Sequence, residues 1–160
     1  MKSDGETKND VETMLGAIRK SIDADSGSAI GGTKKADEFF EKTAAILVKE
    51  KNSTCMARIV ADEIVVDTAK ARAWAIIARI TNEARDIQRF RAVAYKIKKD
   101  KVHRAQSLIE VADITANKED YEEAVRAVAA LDKKTDVSKL LPKTTENDIV
   151  CRTKFAKKRE

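Results

Sequence analysis

The segment "RDIQRFRAVAYKIKKDKVHR", residues 85–104, concentrates the side chains that could bind an anion. It holds eight of the chain's 32 Lys and Arg residues and its single histidine. On a helix with 100° per residue, Ile87, Phe90 and Ile97 share one arc, and a basic stripe lies opposite. That stripe, Arg85, Arg89, Lys96 and Lys99, is about 21 Å long at 1.5 Å per residue. It predicts either a surface that follows a phosphate backbone or the solvated outer face of an ordinary helix.

An anionic partner is the first interpretation, and nucleic acid is the expected partner. The basic C-terminal "KFAKKR" supports it, because lysine and arginine contacts with phosphates release counterions and strengthen binding. The side chains predicted to contact nucleic acid are Arg85, Arg89, Arg91, Lys96, Lys99, Lys101, Arg104, Lys154, Lys157, Lys158 and Arg159.

A protein–protein interface or a self-assembling subunit without nucleic acid is the alternative. Residues 51–105 carry 13 basic and six acidic side chains, whereas residues 106–136 carry four basic and eight acidic ones. The basic stretch could therefore meet the acidic one in the same or another copy.

Paired carboxylates suggest a second alternative, a magnesium-dependent hydrolase. "EFFE" places Glu38 and Glu41 one helical turn apart, and "DEIVVD" places Glu63 and Asp67 on one face of the next helix. Carboxylate oxygens from two facing helices are ligands that Mg²⁺ accepts. The pattern resembles all-α nucleoside-triphosphate pyrophosphohydrolases of the MazG type, with E-x-x-x-D here in place of that family's usual E-x-x-D. The resemblance implies nucleotide hydrolysis.

Other catalytic signatures are missing from the sequence, so we expect a non-catalytic protein without a cofactor or structural metal. There is no glycine-rich phosphate loop after residue 32, and a triad would have to use His103. Cys55 and Cys151 are too few for a disulfide framework or a zinc site. The polar N-terminus and the lack of a long apolar run predict a soluble, intracellular protein that does not enter a membrane.

Turn residues indicate the fold class. Residues 33–141 contain neither glycine nor proline, which sheet proteins need at frequent turns, so the fold is predicted to be all-α. We expect a bundle of five to six helices around a long central helix at about 54–81. Residues 1–33 are predicted to form an amphipathic helix and a Gly/Ser linker, 34–141 the helical core domain, and 142–160 a flexible basic tail.

One further resemblance concerns how the later helices pair. "KEDYEEAVRAVAAL" and the apolar residues before it, over 105–131, resemble a single tetratricopeptide-type helical hairpin. The resemblance implies two antiparallel helices that cross closely. Stable arrays of such units need about three copies, and we expect no second copy of the 34-residue period in this chain.

Overall fold

The computed structural model describes residues 4–26, 29–50 and 52–132, and within these ranges the chain is helical with no strand. This confirms the predicted all-α class and bundle-like packing. Seven helices follow one another in the described residues: α1 (Asp4–Ser26), α2 (Ala29–Lys49), α3 (Thr54–Asp62), α4 (Asp67–Thr81), α5 (Ala84–Lys96), α6 (Lys101–Thr115) and α7 (Lys118–Ala129). Within the described residues, none of these helices is long and apolar enough to cross a membrane. The predicted tail, 142–160, lies outside them.

The single long helix predicted for 54–81 is in fact two helices. α3 ends at Asp62, and α4 begins at Asp67. The β-branched run Ile64–Val66 between them lowers helix propensity. The buried carboxylate of Asp37, on α2, accepts hydrogen bonds from the backbone N–H groups of Val65 (3.1 Å) and Val66 (2.9 Å). These bonds satisfy backbone donors at the break, so a tertiary contact stabilises the interruption.

The N-terminal helix packs against α2 and α3. Val11 and Leu15 are buried in the core. Arg19 donates to the Asp37 carboxylate (2.9 Å) and to the backbone carbonyl of Glu63 (2.6 Å). Where residues 23–33 are described, they are helical and belong to α1 or α2, although this stretch reads as a linker. Gly31 and Gly32 therefore lie within α2, where each costs about 1 kcal/mol relative to alanine.

Two helical hairpins, α4–α5 and α6–α7, are copies of one unit, offset by 34 residues. Shifting α4 (67–81) by 34 gives the bounds of α6, and the start of α5 shifts onto the start of α7. Five residues are identical between the two hairpins at this offset: Ala71/Ala105, Ala78/Ala112, Ile80/Ile114, Thr81/Thr115 and Asp86/Asp120. The expectation of no second 34-residue unit was therefore wrong.

The two copies also share their turn and their core. Asn82 and Ala116, each the residue after its first helix, both adopt a left-handed conformation (φ 51° and 50°). Trp74 and Leu108 occupy equivalent buried positions, and Phe40 on α2 is buried at the same 34-residue offset. Ala44, Ala78 and Ala112, one on each of α2, α4 and α6, are likewise completely buried. The chain is therefore a short stack of helical hairpins, which packs closely because these crossing positions are small.

Candidate nucleic-acid interface

The structure changes the geometry of the predicted basic stripe. The predicted inner face is correct, since Phe90, Val93, Ala94 and Ile97 are all buried. α5 ends at Lys96, however, so Lys99 lies in the connection to α6 and not on the helix. A continuous stripe of four side chains along one helix is therefore not formed.

Two of the predicted contacts, Arg85 and Arg89, are occupied by neighbouring groups. The Nε of Arg85 lies 3.0 Å from a carboxylate oxygen of Glu83, in an exposed pair. Arg89 donates to Asp62 on α3 (2.9 Å), and its guanidinium lies 5.9 Å from the ring centroid of Trp74. Arg89 thus ties α5 to α3 and α4.

Arg91 and Arg104 also bind inside the molecule. Arg91 donates to the buried Asp120 (2.7 Å) and lies over the Tyr95 ring, 4.8 Å from its centroid. Arg104 donates to the backbone carbonyls of Tyr95 (3.0 Å) and Ile97 (2.7 Å). These carbonyls lie at the end of α5, where the helix itself supplies no donors, so Arg104 caps α5.

The same use extends to every arginine whose side chain the structure describes. Each donates to a carboxylate or a backbone carbonyl of the chain. The planar guanidinium suits such contacts, because it can offer two parallel donors to one carboxylate. The nine are Arg19, Arg58, Arg72, Arg79, Arg85, Arg89, Arg91, Arg104 and Arg126.

Four lysines at the α5–α6 connection differ from these arginines. Lys96, Lys98, Lys99 and Lys101 are all exposed, and no ion pair joins any of them to another described residue. We call these four residues the lysine cluster. The single acidic residue among them, Asp100, leaves a net charge of +3 over residues 96–101. Flexible ammonium groups concentrated in this way can contact successive phosphates.

Three anchors hold the backbone beneath the lysine cluster. Ile97 is buried, and Arg104 binds the end of α5. The Asp100 side chain caps α6 by accepting from the backbone N–H of His103 (3.0 Å), and its other oxygen lies 2.6 Å from the Nδ1 of His103. The bond from the His103 backbone holds the pKa of Asp100 below its ordinary value. The acidic member of the segment is therefore occupied with the helix terminus, while the lysines face solvent.

A groove of about 720 Å³ lies beside α5, bounded by the start of α7. Its walls include Arg91, Tyr95 and Asp120, whose side chains bond to one another. Burial, together with the hydrogen bond to Asp120, raises the pKa of the Tyr95 hydroxyl, so it stays protonated at neutral pH. The charges of Arg91 and Asp120 in the groove are thus paired with each other, whereas the lysines of the cluster have no ion-pair partner among the described residues.

The carboxylates considered for magnesium do not come together. Glu41 pairs with Arg72 on α4 (2.8 Å), and Glu63 contributes its backbone carbonyl to Arg19. Among the described residues, which include Glu38 and Asp67, no group of three or more His, Cys, Asp or Glu side chains could hold a metal ion. The predicted pairs on two helices therefore do not form one ligand set.

Some predicted contacts lie outside the described residues, and some important residues were not predicted. Lys154, Lys157, Lys158 and Arg159 belong to the first group. The buried aspartates Asp37, Asp86 and Asp120 belong to the second. Thr81 and Asp86 recur as Thr115 and Asp120 at an offset of 34, so aligning the chain with itself would have singled out two of these aspartates.

Comparisons with known proteins identified no relative of this chain. No protein-family model, no curated protein and no solved structure matches the chain.

Proposed function

We propose that this protein is a non-catalytic helical protein that binds nucleic acid through the lysine cluster, Lys96, Lys98, Lys99 and Lys101. The observation that carries the proposal is that four exposed lysines without an ion pair fall within six residues, 96–101. The described arginines bind within the molecule, whereas these four lysines are exposed on an anchored turn without an acidic partner.

The position of the cluster suits a phosphate backbone. Six residues span at most about 20 Å when extended, so the four lysines lie close together. Their flexible side chains can adjust to the phosphates of duplex DNA or of single-stranded RNA. No base-reading side chain is part of this proposal, so binding is expected to depend on charge and to show little sequence preference. Arg85 and Arg89 serve the fold and contribute less than the lysines.

The test is a salt-dependent titration of labelled duplex DNA and single-stranded RNA. On duplex DNA the log–log salt slope is about −0.9 per neutralised phosphate. The Lys96→Gln/Lys98→Gln/Lys99→Gln variant should therefore reduce the slope by about 2.7 and weaken binding at low salt. Circular dichroism of the variant is the check that it is folded.

The matched control is Lys20→Gln/Lys34→Gln/Lys35→Gln, which removes the same charge from exposed lysines on α1 and α2. It is expected to bind with nearly the wild-type slope. Equal losses in both variants would mean that net charge alone governs binding and would overturn the proposed site. Negligible binding by the wild type at about 50 mM salt would overturn the proposed function.

A further inference from the structure

One apolar row on the surface is not explained by nucleic-acid binding. Ile46, Ile80 and Ile114 lie on α2, α4 and α6 at successive offsets of 34 residues. Ile46 is 65% exposed and Ile80 is 46% exposed, although the helices beneath them are tightly packed. Ile114 is partly buried against the core. We call the solvent-facing side of α2, α4 and α6 around this row the three-helix face.

Side-chain contacts show that the three helices lie side by side in register. Arg72 on α4 donates to Glu41 on α2 (2.8 Å). Arg79 on α4 donates to Asp113 on α6 (3.3 Å). Arg79 and Asp113 are 34 residues apart and directly precede Ile80 and Ile114. The isoleucines therefore form a transverse row, with about 10 Å between neighbouring helix axes.

The next row of the face is polar at its two ends, with opposite charges. One turn before the isoleucines, at the same 34-residue offset, are Lys42 on α2, Ile76 on α4 and Glu110 on α6. Lys42 is exposed, and Ile76 and Glu110 are partly exposed. The Nε of Arg79 lies 3.7 Å from a carboxylate oxygen of Glu110. This row is thus basic on α2, apolar on α4 and acidic on α6, while the exposed Arg72 and Arg79 of α4 are paired with Glu41 and Asp113.

These two rows are complementary to themselves under one particular rotation. Consider a two-fold axis that runs parallel to α4, above the three-helix face. Rotation about this axis leaves each side chain at the same position along the axis and places α2 of one copy over α6 of the other. Ile80 and Ile76 then meet their own counterparts, Ile46 meets Ile114, and Lys42 meets Glu110 of the other copy. A two-fold interface requires a self-complementary surface of this kind.

We propose that two copies of this chain associate through the three-helix face, in the arrangement given by that axis. Fifteen-residue helices are about 22 Å long, and three of them cover about 30 Å across, which is about 650 Å² per copy. This is slightly below the usual size of a stable interface, about 800 Å² per partner, and lies within the range of specific interfaces. The proposal is independent of nucleic-acid binding.

Sedimentation equilibrium of the full chain tests the arrangement. The wild type is expected to form a dimer, and Ile80→Glu, which places two carboxylates against each other on the axis, is expected to weaken association more than about 100-fold. Met14→Glu is the matched control, because Met14 is equally exposed (51%) but lies on α1. It is expected to associate like the wild type.

A charge exchange tests the orientation of the two copies. Lys42→Glu and Glu110→Lys are each expected to weaken self-association, because each creates two like-charge contacts across the axis. Mixing the two variants is expected to restore a heterodimer, in which every contact again joins opposite charges. A thermal melt of each variant is the check that it is folded.

Two results would overturn the proposal. One is that the wild-type protein stays monomeric up to about 0.5 mM. This result is also expected if the isoleucine row binds a different protein instead of a second copy. The other is an Ile80→Glu variant that associates as strongly as the wild type. If the wild type associates but mixing Lys42→Glu with Glu110→Lys does not restore association, the proposed orientation of the two copies would be wrong.

Discussion

Arg58 on α3 and Asp86 on α5 form a two-pronged ion pair, with Nε to Oδ1 and Nη2 to Oδ2 both at 2.8 Å. Asp86 is completely buried and also accepts from the Thr81 hydroxyl (2.6 Å). Asp120, at the equivalent position of the next hairpin, accepts from Arg91 (2.7 Å). It also accepts from Thr115 (2.8 Å). The second helix of each hairpin is thus tied to the second helix of the next one by the same kind of contact.

Removing one partner of the first pair is expected to be costly. Asp86→Ala leaves Arg58 without its main partner in a largely buried setting, and we expect a loss of about 3–5 kcal/mol in the free energy of unfolding. Asp62→Ala removes an exposed ion pair with Arg89 and is expected to cost less than about 1 kcal/mol. Urea denaturation of both variants measures the difference. Similar small losses in both would show that the buried pair does not link the hairpins.

Acid is expected to destabilise the fold through the same aspartates. Burial alone would raise the pKa of Asp86, but its bonds from Arg58 and Thr81 outweigh burial and hold the pKa below the ordinary value. The pKa of Asp120 is lowered in the same way by Arg91, Thr115 and Tyr95. A lowered native pKa contributes stability above the unfolded value, about 3.9, and this contribution is lost as the pH falls further.

The measurement is the free energy of unfolding between pH 6 and pH 2.5, for the wild type and for Asp86→Asn/Asp120→Asn. We expect a steep fall below about pH 4 in the wild type and a shallower one in the variant. Glu110 has the opposite sign, because burial raises its pKa. Its contribution therefore declines as the pH rises above about 4.3, and Glu110→Gln should remove that decline. Parallel curves for wild type and variants would contradict both assignments.

The left-handed residue between α6 and α7 predicts a stabilising substitution. Ala116 has φ 50°, a conformation that costs an alanine about 1 kcal/mol and glycine little. Ala116→Gly is therefore expected to raise the melting temperature, with a gain of up to about 1 kcal/mol. Ala127→Gly, inside α7, is expected to lower stability by about the same amount. Calorimetry of both variants checks the signs, and a destabilised Ala116→Gly would refute the strain.

The break between α3 and α4 is expected to depend on Asp37. Asp37→Ala removes the acceptor for the N–H groups of Val65 and Val66, together with the partner of Arg19. Hydrogen exchange at these two amides should become at least about tenfold faster. Glu38→Ala, at an exposed neighbouring position, is the control and should leave the exchange unchanged. Unchanged exchange in Asp37→Ala would show that the break needs no side-chain acceptor.

The sequence was most informative where a local pattern has one physical outcome. The stretch without glycine or proline predicted an all-α fold, and the wheel of residues 85–97 correctly placed Phe90 and Ile97 inside. The caps Asp100 and Asn117 follow from the same local logic, because each accepts a backbone N–H of its own first turn. Helix boundaries were predicted less well, because Lys99 lies beyond the end of α5 and the 54–81 segment is two helices.

Pairing between distant residues was decided by the tertiary structure. Composition supplies the number of arginines and aspartates, but it does not say that Arg58 meets Asp86, 28 positions later, or that Arg104 caps α5. The hydrophobic pattern likewise predicts one inner face per helix, but it does not show that Phe40 is buried while its neighbour Phe39 is 46% exposed. Local periodicity thus determines that helices form and which arc is apolar. The packing of one helix on another decides which charges are paired, and therefore which lysines and isoleucines are left for a partner.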